Sequence, residues 1–240
     1  MRISTQLQPA YLLHQRPYRD TSLLLEIFTP EQGRFGLVAR GARAPKSRNR
    51  GLLQLFQPLL LSWTGRAELG TLTGVEPNGT APRLLGATLY SGFYLNELIM
   101  RLLQRLDPHP ELFMAYAEAL QGLQYATERP LRLFEKRLLE TLGYGLMLDH
   151  EADTGEPVIA EGFYRYELET GPVAVTQGSV QRPGQGLCLQ GSSLLSLAAD
   201  QLEDAQSLSD CKRLMRAALG LYLGDRKLKT REVFAAMAAR

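Results

Sequence analysis

The chain has 240 residues, 45% hydrophobic and 22% charged, with a formal net charge of only +2. This suits one or two globular domains with a sizeable core, and taken whole it is not the balance of an obvious nucleic-acid binder. No apolar run approaches the roughly 20 residues that span a bilayer, and Met1–Asp20 lacks the apolar stretch of a secretory signal. Cys188 and Cys211 are too few and too far apart for a disulfide framework or zinc ribbon. A cytoplasmic protein is therefore expected, with no membrane association and both cysteines as small core residues.

Residues 1–80 carry 10 Lys/Arg against 5 Asp/Glu, and residues 81–240 carry 17 against 20. The basic excess lies in a segment that reads as strands. Pro9–Arg16, Thr21–Thr29, Arg34–Gly41, Phe56–Thr64 and Ala67–Glu76 are short runs rich in Leu, Val and aromatics, parted by turn signals. Five short strands in so few residues predict a small barrel, which removes exposed edges. An OB-fold leads, and an SH3-like barrel is the alternative that periodicity cannot separate. Near residue 80 the period changes. Apolar residues at Leu84, Leu85, Leu89, Leu95, Leu98, Ile99, Leu102 and Leu103 predict a helix opening at Pro82. Further helices are expected over Glu111–Tyr125, Pro130–Leu142, Ser192–Ala199, Ser209–Leu223 and Thr230–Ala239. Residues 149–190 interrupt this pattern with Gly, Pro and acids, and hold one hairpin turning at Thr170-Gly171. The expected class is α+β: residues 1–80 a five-stranded OB-fold barrel, residues 81–240 a mainly helical domain with an irregular hairpin insertion.

The strongest chemical signal is Arg34–Arg50, which holds Arg34, Arg40, Arg43, Lys46, Arg48 and Arg50 and no acid. On the third strand and the following loop, these would form a mobile cationic arm beside an exposed sheet face. Phosphate backbones favour that arrangement, because each contact releases condensed counterions without reading sequence. Flat rings would complement it by stacking bases. Tyr11, Tyr18, Phe28, Phe35, Phe56 and Trp63 are available, mostly as core; Phe35 and Tyr18, next to arginines, are the better candidates. A second basic cluster comprises Lys212, Arg213 and Arg216, one turn apart on a helix, then Arg226, Lys227, Lys229 and Arg231. On the helix Pro130–Leu142, Leu131, Phe134, Leu138 and Leu142 share one face. Opposite them lie Lys136, Arg137 and Arg132, with Arg129 at the start and Leu133 among them. An apolar residue within a cationic face suits a partner both acidic and hydrophobic.

The acids Asp149, Glu151, Asp153, Glu156 and Glu161 lack the spacing of a hard-cation loop. His14, His109 and His150 flank no triad or metal pair. There is no phosphate-binding G-x-x-x-x-G-K-[ST] loop, no carboxylate cluster of the two-metal kind, and no nucleophile beside a base. Neither catalysis nor a cofactor is expected.

Along nearly its whole length the chain resembles the bacterial RecO family. The segments that carry this are RPYRDTSLLLEIFT (16–29), GRFGLVARGAR (33–43), ATLYSGFYLNEL (87–98), RLFEKRLLETLGYGL (132–146), TGEPV (154–158) with YRY (164–166), and YLGDRKLKTREVF (222–234). None is a catalytic signature; their order makes the set specific. The resemblance implies an N-terminal OB-fold, a helical C-terminal domain, and ATP-independent binding of single- and double-stranded DNA with annealing of complementary strands. It also implies partnership with RecR in letting RecA replace single-stranded DNA-binding protein, whose acidic tail would dock on the helical domain. For that tail the cationic face of Pro130–Leu142 is the candidate seat, an arginine holding the terminal carboxylate. Some family members carry a four-cysteine zinc site in the region of residues 148–186. Here no cysteine precedes Cys188, so a thiolate site cannot be built and no metal is expected. Two other classes compete. A nuclease or ligase would need a metal-binding carboxylate set, and a protein-binding scaffold would show little salt-sensitive affinity for oligonucleotides.

Overall fold

The computed structural model describes residues 4–65, 69–175, 187–224 and 227–238. The expected element ends Ala67, Thr176 and Ala239, and Arg226 of the second basic cluster, lie outside these. The chain forms two compact units, one of Met1–Tyr125 with Lys227–Arg240 and the other of Ala126–Arg226.

In the first unit, β1 (Ser4–Tyr18), β2 (Ser22–Thr29), β3 (Gly33–Ala39), β4 (Leu59–Thr64) and β5 (Leu69–Pro77) close into a barrel of order β1-β2-β3-β5-β4. β1 pairs antiparallel with both β2 and β4, while β3 and β5 run parallel. That order identifies an OB-fold and removes the SH3-like alternative. β1 reaches both neighbours because it is long and bulged. Its pairing shifts between Thr5 and Gln8 and again between Leu12 and His14, and Leu7 has a φ of 48°. The polar start of this strand, STQLQ, hides it from a reading based on apolar runs.

Period-two alternation fills the interior. On β4, Leu59, Leu61 and Trp63 point inward, meeting Leu12, Leu25, Ile27, Phe35 and Leu37 from the facing strands. Each such side chain contributes about 1.5–3 kcal/mol on burial. The turn into β3 requires a glycine. Gly33 has a φ of 65°, and a Cβ there would lie 1.9 Å from the Asp107 carbonyl oxygen.

Helices α1 (Ala87–Leu102) and α2 (Pro110–Gly122) belong to the barrel's unit. Tyr11 and Phe28 from the barrel meet Phe113 and Tyr116 of α2, with ring centroids 5.0–6.2 Å apart. A buried polar bridge completes this contact: Asn96 Nδ2 donates to the Leu13 carbonyl at 2.8 Å, and the Tyr116 hydroxyl donates to Asn96 Oδ1 at 2.5 Å. α1 starts later than Pro82 predicts, because Gly86, with a φ of 52°, sets its first turn. Pro110 does occupy the first turn of α2.

The second unit holds α3 (Glu128–Thr141), the strands β6 (Phe163–Glu167), β7 (Gly171–Val175) and β8 (Leu187–Gln190), and helices α4 (Gly191–Ala198) and α5 (Ala205–Leu223). The expected hairpin is β6–β7, and β8 pairs with the other edge of β6 to give the order β7-β6-β8. Asp204 caps α5, accepting from the Ser207 N–H at 2.8 Å.

The last helix, α6 (Lys229–Ala238), returns to the first unit. Glu97 of α1, 7% exposed, caps its N-terminus. The carboxylate accepts from the Lys229 N–H at 3.0 Å, the Thr230 N–H at 2.9 Å and the Thr230 hydroxyl at 2.8 Å. Burial pushes the Glu97 pKa up. The donors of Thr230, Lys229 and Arg101 outweigh it and hold the group below its ordinary value. Because the folded value is depressed, this anchor is complete above the unfolded carboxyl range of about 4.3 and is lost as pH falls through the folded value. Hydrogen exchange should therefore show Lys229 and Thr230 amide protection falling only as the pH drops below the ordinary carboxyl range. In Glu97→Gln, protection should be reduced already at neutral pH, with little further loss on acidification. An unchanged acid response in that variant would remove Glu97 as the anchor.

Candidate nucleic-acid interface

The link between β3 and β4 is the most basic part of the first unit. Arg40, Arg43, Lys46, Arg48 and Arg50 are all exposed, and no salt bridge to any of them is found among the described residues. A cation without a carboxylate neighbour keeps its full charge for a phosphate.

This segment folds back on the barrel rather than standing off it as the arm that its composition suggests. Ala42 (1% exposed) and Leu53 (2%) sink into the barrel core at its two ends. Between them the backbone closes successive turns, Ala44 N–H to Gly41 O, Ser47 N–H to Ala44 O and Leu53 N–H to Asn49 O, with a short 3₁₀ turn at Arg48–Gly51. The Arg43 N–H donates to Thr21 O at 2.8 Å, tying the segment to the β1–β2 turn. That turn adds exposed Arg16 and Arg19, the latter with its guanidinium 5.3 Å from the Tyr18 ring centroid. Arg16 and Arg19 extend the interface beyond the run that composition singles out. Their signal in the sequence is RPYRD, read there mainly as a turn.

Two members of the predicted interface lie elsewhere. Phe35 is 2% exposed, 5.2 Å from Trp63 by ring centroids, and cannot stack on a base. Strand alternation puts Phe35 inward with Leu37 and Ala39. Arg34, on the other face of β3, pairs with Glu26 and donates to the Leu103 carbonyl at 3.0 Å, with its side chain 14% exposed. Arg105 holds the second oxygen of Glu26. Arg34 is therefore a structural cation. Of the six rings, Tyr11, Phe28, Phe56 and Trp63 are likewise buried, and Tyr18 alone reaches the surface.

The second basic cluster is divided. Lys212, Arg213 and Arg216 lie on α5 in the second unit, while Lys227, Lys229 and Arg231 belong to the first. Lys212 pairs with Glu128 at 2.7 Å and Arg213 with Asp210 at 3.1 Å; Arg216 is exposed. Arg231 donates to the Tyr94 hydroxyl at 2.9 Å.

On α3 the expected partner face is largely committed inside the second unit. Arg132 is 4% exposed, its Nε 3.2 Å from the fully buried Glu135 carboxylate. It cannot present itself to an external carboxylate. Lys136 Nζ donates to the Leu197 and Ala198 carbonyls at 2.9 and 3.0 Å and pairs with Asp200 at 2.7 Å, closing the C-terminal end of α4. Arg129 is exposed but donates to the Asp200 carbonyl at 3.0 Å; Arg137 pairs with Glu140 at 2.8 Å; Leu133 is half-buried. A wheel with one core face fails here because α3 is covered on more than one side.

Among the described residues no group of three or more His, Cys, Asp or Glu side chains is placed to hold a metal. The Cys211 thiol, 2% exposed, is pushed up to about 12, chiefly by burial, and is unreactive at neutral pH. No helix among the described residues is long and apolar enough to cross a membrane.

Comparison with known proteins accounts for both halves. Residues 1–80 match the family model "Recombination protein O N terminal" and residues 85–232 match "Recombination protein O C terminal". The chain is 51% identical to the DNA repair protein RecO of Nitrosococcus oceani over 227 residues, covering 94% of this chain and 91% of that one. It is also 51% identical to the DNA repair protein RecO of Alkalilimnicola ehrlichii, covering 96% and 91%. To that of Dechloromonas aromatica it is 43% identical, covering 98% and 97%.

Proposed function

Since the chain belongs to the RecO family of DNA repair proteins, we propose that it is a non-enzymatic mediator that binds single- and double-stranded DNA and anneals complementary strands. The observation that carries this is the set of five exposed cations between β3 and β4, without an ion-pair partner among the described residues, beside Arg16 and Arg19. Two strands repel each other through their phosphates. A surface that neutralises phosphates without reading bases lowers that repulsion for any sequence. Pairing then supplies its own free energy, so no nucleotide hydrolysis is required. Arg216 of α5 offers a further phosphate contact on the second unit.

In this role the protein works with RecR to let RecA replace single-stranded DNA-binding protein; family membership is the support for those partners. On α3, the side chains left at the surface for an acidic tail are Arg129, Leu133 and Arg137. The test of the central reading is direct. Pure protein mixed with complementary oligonucleotides, labelled for energy transfer and free of ATP, should speed annealing over the spontaneous rate at low salt. The acceleration should fade as salt rises. Cleavage or joining of the strands in the presence of Mg²⁺ would point to an enzyme instead. Absence of both binding and annealing would point to a protein-binding scaffold.

A further inference from the structure

Within the basic surface lies a groove of about 510 Å³, lined by Gln15, Arg16, Pro17, Leu23, Ala42, Arg43, Arg50, Leu53 and Gln54. Its lining combines three kinds of chemistry. Pro17 and Leu23 supply apolar surface backed by Ala42 and Leu53 from the core, three guanidinium groups are contributed by Arg16, Arg43 and Arg50, and Gln15 and Gln54 bring amides. No carboxylate takes part. The volume falls among the roughly 300–1,000 Å³ of small-ligand pockets.

We propose that this groove receives one unpaired nucleotide of a bound strand, its base against Pro17 and Leu23 and its phosphates on Arg16, Arg43 and Arg50. The proposal rests on the DNA-binding reading above and deepens it. A solvated charge patch needs no apolar lining, and a docking site for an acidic peptide needs no amides beside it. A base requires both: a flat apolar body to leave water, and donors and acceptors along its edge. A glutamine amide offers two donors and an acceptor, and can turn to match any base, which suits recognition without sequence preference. A paired base has both faces stacked and its edge occupied, so it can enter such a groove only after leaving the duplex. The groove thus favours single strands, while its three arginines serve either form.

The test compares full-length protein binding to a dT oligonucleotide and to a deoxyribose-phosphate oligomer of equal length without bases. The phosphates are the same and only the base differs. The dT strand should bind more tightly by roughly fivefold, the low end of the range for a base stacked on an aromatic ring, since Pro17 and Leu23 offer no ring to stack on. Leu23→Ala should bring dT affinity down toward that of the abasic strand while leaving the abasic strand unaffected. Gln54→Ala, a change at an exposed side chain that threatens the fold less, should do the same in smaller measure. Arg43→Ala should weaken both ligands in proportion. Equal affinity of the parent for dT and abasic strands overturns the nucleotide pocket and leaves charge-based DNA binding standing. A dT preference untouched by both Leu23→Ala and Gln54→Ala also overturns it, placing base contact elsewhere. Binding of neither ligand overturns the pocket and the DNA-binding reading together.

Discussion

Replacing Arg40, Arg43, Lys46 and Arg48 together with alanine is expected to flatten the salt dependence of oligonucleotide binding by about 3 in the log–log slope. Each lost phosphate contact lowers that slope by about 0.7–0.9. At ~0.1 M salt, with the 1 M reference term unchanged, this corresponds to binding weaker by about a thousandfold. The loss should be uniform across base sequences, since phosphates carry no sequence information. Stability should change little, because the four side chains are exposed and the fold of the segment rests on Ala42, Leu53 and backbone turns. Arg34 is the internal control. Its charge answers Glu26, so Arg34→Ala should destabilise the barrel without changing the slope. A quadruple variant whose slope equals the parent's would remove the β3–β4 segment from the interface.

The largest expected effect on stability lies in the second unit. Arg132 is 4% exposed and Glu135 is completely buried, with 3.2 Å between Arg132 Nε and Glu135 Oε2. Arg132→Met removes the guanidinium beside the buried carboxylate, and breaking such a pair costs about 3–5 kcal/mol. Glu135→Leu should cost a similar amount by stranding the guanidinium. The double variant Arg132→Met/Glu135→Leu should recover most of the loss, since a well-packed apolar replacement of a buried pair is often neutral or stabilising. Denaturant unfolding of the four proteins measures the coupling directly. Independent, additive losses would show that the two charges do not depend on each other. A consequence for partner studies is that weakened tail binding in an Arg132 variant would report damage to the unit, not a lost contact.

The difference between Arg132 and Arg43 shows what can be read from residue order. Arg40, Arg43, Lys46, Arg48 and Arg50 stand at the surface because no acid lies near them in the chain and five unneutralised charges cannot be buried at tolerable cost. That argument is local, and it holds. The barrel was legible for a related reason: alternation and turn signals record which face of a strand meets the core. Phe35 obeyed this rule and sits inside, so its adjacency to Arg34 was the wrong guide. Arg132 and Lys136 depend on distant partners. α3 packs on α5, and Lys136 reaches from it to the carbonyl groups of residues 197 and 198 at the end of α4. The i, i+3 spacing of Arg132 and Glu135 was visible, but spacing cannot distinguish a buried pair from an exposed one. The groove between Arg16 and Arg50 is illegible for the same reason, since it forms only when the barrel closes.

The hold of Glu97 on the amides of Lys229 and Thr230 also bears on how the protein is made. Synthesis runs from the N-terminus, and a domain tends to fold once its parts have emerged. Here the strands and α1 emerge first, yet the helix that satisfies the Glu97 carboxylate is made last, after all of Ala126–Arg226. Until then the Glu97 carboxylate has Arg101 as a donor and lacks those of Lys229 and Thr230. A chain terminated before Lys229 keeps the exposed cations between β3 and β4 and lacks the cap. The first unit is thus closed across Ala126–Arg226, and its packing cannot be completed before Lys229 and Thr230 have been made.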